Sequence, residues 1–316
     1  MDVMTLLWTC LGFAFASYTV IANDSIQTLG TWIASNKDKF DWKIMWASAS
    51  SVLLFAIWYG WTINGGDISY GRLDKIPYIE PQWYHAMAPA VLLLLTRFGV
   101  PVSTSFLVLS AFASTFVLEK MLVKSFAGYG VAAVSAYAVW FAITKYFENR
   151  SVPWEDKETS WRIAQWTITA FLWWTWLSHD MANMAVFLPR ELDILSLVLI
   201  STLFIGGMGW MFKNQGGKIQ QIVLSKTDTK YVRSATMIDF VYLVILYIFK
   251  EYNNIPMSTT WVFIGLLSGR ELAIATVAEK GTNFKKVFPI IAGDFGKLMV
   301  GVAASMGIII SIHTLT

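Results

Sequence analysis

A carboxylate inside a long apolar run limits this chain more than any other feature. Leu6 to Ala22 is apolar, Leu29 to Ala34 continues the run, and Asn23 and Asp24 stand between them. Hydrocarbon penalises such a group, so an intramembrane Asp marks a cavity, a pathway or a buried partner. Asn23, Asp24, Gln27, Thr28, Thr31 and Ser35 recur mostly three or four positions apart and so share one helical face. Leu6–Ser35 reads as a broken membrane helix whose polar face lines a cavity. A signal peptide would need a basic start, and the only charge before Asp24 is Asp2.

Only 14% of residues are charged and 56% are hydrophobic, against about 25% charged in an ordinary soluble domain. Sixteen Trp and twelve Tyr suit wide membrane–water interfaces. The chain therefore reads as a multi-pass, all-α integral protein of the cell membrane, with the lipid bilayer as its main partner. A net charge of +3, scattered in short clusters, gives no nucleic-acid footprint. The single cysteine, Cys10, excludes an internal disulfide and gives no metal spacing. It reads as a small packing residue.

Ile44–Ile63 is a full span. A Gly- and Pro-containing connection from Asn64 to Glu80 follows it. Ala86–Phe98 and Val102–Phe116 are short apolar segments broken by Gly99 and Pro101, which predicts a re-entrant hairpin. Met121–Tyr146 is the next span. The pattern then starts again: Ile163–Leu188 broken at His179-Asp180, a span at Ile194–Phe212, a hairpin of Met237–Phe249 and Trp261–Leu272 around Pro256, and a last span at Val287–His313.

Asp24 and Asp180 are 156 positions apart, as are Gln27 and Asn183, while Pro101 and Pro256 are 155 apart, as are Ser103 and Ser258. Four matches at nearly one offset, in matching hydropathy contexts, indicate duplication. The expected division is residues 1–147 as a first repeat, 148–162 as a connection and 163–316 as a second repeat. Three crossings in the first half would invert the second. Asn64–Glu80 is net negative and Lys213–Arg233 is net basic. The positive-inside rule then puts both termini outside the cytoplasm and the midpoint loop within it.

Inverted repeats with discontinuous helices are the architecture of secondary transporters, with sites near the midplane. Each Pro-x-Ser-Thr turn is expected to open a short helix, with Ser103 and Ser258 as N-caps. Ser103, Thr104 and Ser105, with Ser258, Thr259 and Thr260, then offer hydroxyls and free N–H groups to one anion. A cation between carboxylate and anion removes their repulsion. Asn23, Asp24, Gln27, Thr28, Asp180 and Asn183 supply the oxygen ligands that sodium takes. Desolvated carboxylates carrying protons are the alternative coupling. No catalytic constellation or cofactor is indicated.

The residues also resemble the inorganic phosphate transporter (PiT, sodium–phosphate symporter) family. Its GANDVANAxGT signature is similar to Ile21 through Thr31 here, and its PVSTTH signature to Pro101 through Ser105 and Pro256 through Thr260. The resemblance implies a sodium–phosphate symporter whose hairpin-tip hydroxyls hold phosphate and whose Asn-Asp segments help bind sodium. The signature's final His is Phe106 in one copy and Trp261 in the other, and Gln27 stands where the family has Asn. The second Asn-Asp is His179-Asp180, which makes His179 a candidate modulator of the site. Related members carry sulfate, so another tetrahedral oxyanion is the alternative substrate.

A passive anion channel would use the same hairpins. An intramembrane aspartyl protease would use Asp24 and Asp180 as a dyad, but it leaves the Ser-Thr turns unexplained. Asp239, Arg270, Glu271, Asp294 and Lys297 read as salt-bridge partners inside a bundle, and His85 as an interface residue. Whether copies associate into a homo-oligomer is left open.

Overall fold

The computed structural model describes residues 2–97, 102–143, 145, 157–215, 232–277 and 284–315. These residues contain helices, π turns and loops, and no strand. Among the described residues, seven helical stretches are long and apolar enough to cross a membrane. Their outward faces carry Val134, Leu195, Leu199 and Ile310, while Asn23, Asp24, His179 and Asp180 are buried. That inside-out polarity is what a bilayer solvent selects.

The first half comprises α1 (Val3–Thr19), a π turn (Val20–Asp24), α2 (Ser25–Asn36), α3 (Trp42–Ile63), α4 (Trp83–Arg97), a second π turn (Ser105–Leu109) and α5 (Thr115–Ile143). The second half comprises α6 (Glu158–Asp180), α7 (Ala182–Ala185), α8 (Ile194–Lys213), α9 (Val232–Tyr252), α10 (Thr259–Val277) and α11 (Phe284–Leu315). α6 therefore begins inside the stretch assigned to the connection. Most of that connection, Pro101, and the central part of the basic Lys213–Arg233 loop lie outside the described residues.

Several packings involve elements at corresponding places in the two halves. α1 packs on α4 as α6 packs on α9, and α3 packs on α8. α3 also meets α6, as α8 meets the first π turn. The hairpins then cross between halves: the second π turn packs on α11, and α10 packs on α5. Each hairpin is thus held by helices of both halves.

The α5–α10 contact is backbone to backbone. A Cβ added at Gly265 would lie 2.4 Å from the Tyr129 carbonyl oxygen, and one at Gly269 would lie 2.0 Å from that of Ala133. Two glycines four apart allow this approach, which packing in lipid rewards in the absence of a hydrophobic drive. At the chain midpoint Glu158 pairs with Lys39 and Arg162, and Arg162 Nη1 donates to Asn36 Oδ1 over 2.6 Å. These contacts tie the end of α2 to the start of α6.

Three expectations change. The first polar break does not interrupt its helix, because α1 continues into α2 through the π turn. The second hairpin's arms are 21 and 19 residues, each a candidate span, rather than the 13 and 12 of the apolar runs. Polar ends such as Arg233 and Lys250-Glu251 belong to helix that the apolar runs omit. In the first hairpin the arm after the turn is only the π turn, followed by turns to Ser114.

Gly269→Ala is expected to lower stability by about 1–3 kcal/mol through forced separation of α5 and α10. Gly293→Ala, where no atom lies within 4 Å of the added carbon, should be near neutral. Thermal unfolding in detergent reads both.

Candidate functional site

The first π turn sets the geometry at Asn23 and Asp24. A π turn fits an extra residue into the helix, and such turns are frequent at functional sites. Asn23 Nδ2 donates to Asp24 Oδ1 over 2.7 Å, and both residues are buried. Ser25 Oγ bonds back to the Ile21 carbonyl over 2.6 Å. Gln27 and Thr28 follow on α2, also buried.

The second break is built differently. α6 ends at Asp180 and the chain restarts as the short α7. Asn183 Nδ2 donates to Asp180 Oδ1 over 2.9 Å, and Ser105 Oγ approaches the same oxygen at 3.3 Å. Each Asp is thus held by a carboxamide, one residue before it in the first half and three after it in the second. Ser105 belongs to the other half's hairpin, so the two repeats meet at this carboxylate.

Both turns carry the expected caps. Ser103 Oγ accepts the Phe106 N–H and Ser258 Oγ accepts the Trp261 N–H, each over 3.2 Å. Thr104 lies beside Asp24, and Thr259 beside Asp180, although Thr104 Oγ1 makes no hydrogen bond of ordinary geometry. Thr260 is buried next to Thr259. Phe106 and Trp261, which stand where the resembled signature has His, face each other with ring centroids 5.5 Å apart. The starts of the two hairpins therefore converge.

The two turns open unequal elements. Thr259 and Thr260 open the 19-residue α10, whose first N–H groups have no partner within the helix. Ser105 opens a five-residue π turn. A full helix dipole stands behind the second turn; the first brings mainly hydroxyls.

Asp24 is near enough to Asp180 for their charges to oppose each other. Asp24 Oδ2, Gln27 Oε1, Thr28 Oγ1, Thr104 Oγ1, Asp180 Oδ2 and Asn183 Oδ1 are buried without a hydrogen-bond partner. All six are oxygens of residues singled out from the sequence. The amide donors of Asn23 and Asn183 are spent on the carboxylates, which leaves oxygen toward the interior. Unpartnered buried groups call for an explanation, and a hard cation with oxygen ligands is the chemistry that matches this set.

His179 turns elsewhere. Its Nε2 lies 3.0 Å from the Leu246 carbonyl of α9. A carbonyl only accepts, so Nε2 carries the proton and Nδ1 is left unpartnered. His179 makes no hydrogen bond to Asp180 among the described contacts.

Several residues join the site that the sequence did not bring forward. Tyr242 on α9 is buried, its hydroxyl donates to the Thr259 carbonyl over 3.1 Å, and it lies beside Thr28. Asp239, one turn earlier, was expected to pair with a cation. Instead Thr31 Oγ1 and Thr169 Oγ1 donate to its two oxygens over 2.5 and 2.7 Å. A third buried carboxylate thus continues the polar face of α2 away from Asp24.

Arg270–Glu271 and Lys297–Asp294 do pair, at 2.6 and 3.7 Å. His85 is buried rather than interfacial: Nδ1 accepts the Gln82 N–H over 2.9 Å and the ring stacks on Phe112 at 4.2 Å. Cys10 is exposed on α1, not packed. A cavity of about 570 Å³ lies between the Asn64–Tyr78 connection and Arg190-Glu191, and none of the predicted site residues lines it.

No protein-family model and no curated protein matches the sequence. A solved structure described as a sodium-dependent phosphate transporter is similar in fold, with a TM-score of 0.59 over 100% of both chains at 13% sequence identity. The likeness is one of architecture.

Thr169→Val, which strips a donor from the buried Asp239 carboxylate, is expected to cost about 1–3 kcal/mol. Thr169→Ser should retain most of the stability. Thermal unfolding in detergent compares them.

Proposed function

We propose that the chain is a secondary active transporter that carries inorganic phosphate coupled to sodium, by alternating access around a midplane site. One observation carries this reading: two buried carboxylates from duplicated segments meet the hydroxyls of two duplicated turns, and six buried oxygens are left without partners. The fold likeness to a sodium-dependent phosphate transporter supports it.

Asp24, with Asn23, Gln27 and Thr28, forms one sodium seat, and Asp180 with Asn183 the other. Bound cations offset the mutual repulsion of the two carboxylates and make room for an anion. Ser103, Thr104 and Ser105 face Ser258, Thr259 and Thr260 across that anion, and the α10 N-terminus adds its dipole. The hairpins, each clasped between the two halves, are the elements that open the site to one side and then the other. Both termini are assigned to the outer face. An aspartyl protease would use the same carboxylates but leave the hydroxyl turns without a role.

A second reading concerns the substrate. The Phe106–Trp261 contact puts aromatic carbon where the resembled signature has a titratable donor. That change removes a group able to accept the proton that hydrogen phosphate carries, and so favours an oxyanion without one, such as sulfate. Proton rather than sodium coupling would use the same two carboxylates.

Purified protein in proteoliposomes tests these points. Labelled phosphate uptake should require an inward sodium gradient, and unlabelled sulfate should compete only if the second reading holds. Uptake indifferent to both sodium and proton gradients would exclude a symporter. Asp24→Asn and Asp180→Asn should each reduce coupled uptake to background, and retention of coupling in both would remove the cation assignment.

A further inference from the structure

Two buried cations lie beside the second hairpin and take no part in the proposed site. Arg72, in the connection after α3, and Lys124, on α5, are 2% and 5% exposed. Neither makes a salt bridge among the described residues. Burying a charge without a counter-ion costs several kcal/mol, so the compensation must come from elsewhere.

It comes from carbonyl oxygens at the ends of helices. Lys124 Nζ donates to Asn253 O over 3.0 Å and to Asn253 Oδ1 and Ile255 O over 2.9 Å each. All three ammonium donors are thereby used. Arg72 Nη1 donates to Asn253 O over 2.8 Å, and Nη2 and Nε reach Lys250 O and Ser178 O at 3.4 Å. Lys250 and Ser178 lie in the last turns of α9 and α6, where free carbonyls and the negative dipole end favour cations. Next to Lys124, Ser125 Oγ accepts the Ser258 N–H over 2.8 Å. Three neighbouring groups thus grip the chain from Lys250 to Ser258, which is the turn of the second hairpin.

The residues at the corresponding turn of the first hairpin, 98–101, lie outside the described residues.

We infer that Arg72, Lys124 and Ser125 are positioning residues that latch the second hairpin turn, so that this turn opens only when the latch gives way. The inference rests on the transport reading for the meaning of that opening. The latch itself is testable without transport.

In a Cys10→Ser background, Met257→Cys and, separately, Val102→Cys report access to the two turns by an impermeant thiol reagent in proteoliposomes. Met257 is 1% exposed and Val102 fully buried. Adding Lys124→Met or the milder Ser125→Ala should raise labelling at position 257, roughly tenfold or more for the former, because labelling follows the local opening population. Labelling at position 102 should stay unchanged. Unchanged labelling at 257 in both variants would overturn the latch. An equal rise at both positions would also overturn it, because that is general loosening of the fold. Phosphate uptake by the unmodified chain, measured in parallel, tests the transport reading separately.

Discussion

Two carboxylates must be kept away from hydrocarbon, and most of the structure follows from that requirement. The desolvation cost of an ionised Asp amounts to several kcal/mol even in a relaxed protein interior. Asp24 and Asp180 are therefore enclosed by protein on all sides. Each is given a carboxamide donor, and Asp180 also a hydroxyl from the opposite half. Enclosing both at one place requires helices that stop or bulge within the membrane, since a regular helix has no backbone to spare. The π turn at Val20–Asp24 and the α6–α7 break are two local solutions to that one demand. The hairpins complete the enclosure, each packed on helices of both halves.

The enclosure is only partly satisfied internally. Six oxygens of Asp24, Gln27, Thr28, Thr104, Asp180 and Asn183 are left without a hydrogen-bond partner. An interior built for stability would pair these atoms or replace them with carbon. Asp239, a short distance along the same polar face, has a hydroxyl on each oxygen. The fold thus supplies donors to this third carboxylate, while one oxygen each of Asp24 and Asp180 goes without.

Much of this was legible in the sequence because it rests on residue type in a hydropathy context. The burial of Asn23-Asp24, the Ser-Thr turns and the two Ser caps needed only spacing and the cost of polar groups in lipid. Other features depend on facts that no spacing encodes. A π turn leaves no trace in hydropathy, so the first break looked like an interruption. Arg72 read as one charge in a polar connection, but the loop folds inward and buries it. Lys124 sits in an ordinary span pattern, and only the α9–α10 turn against it shows why a cation is tolerated there. His85 looked interfacial from its position near a helix end, but one accepted N–H and the Phe112 ring account for its burial. Tyr242 and Asp239 acquire their partners from α2, α6 and α10, distant in sequence.

The two hairpins differ in what their turns open. α10 is a full helix, while the first turn opens only a π turn. The second turn is held by Arg72, Lys124 and Ser125. Arg72 also lies within the field of Asp180. A residue that holds the second turn thus shares its surroundings with the carboxylate beside Thr259, the residue that opens α10.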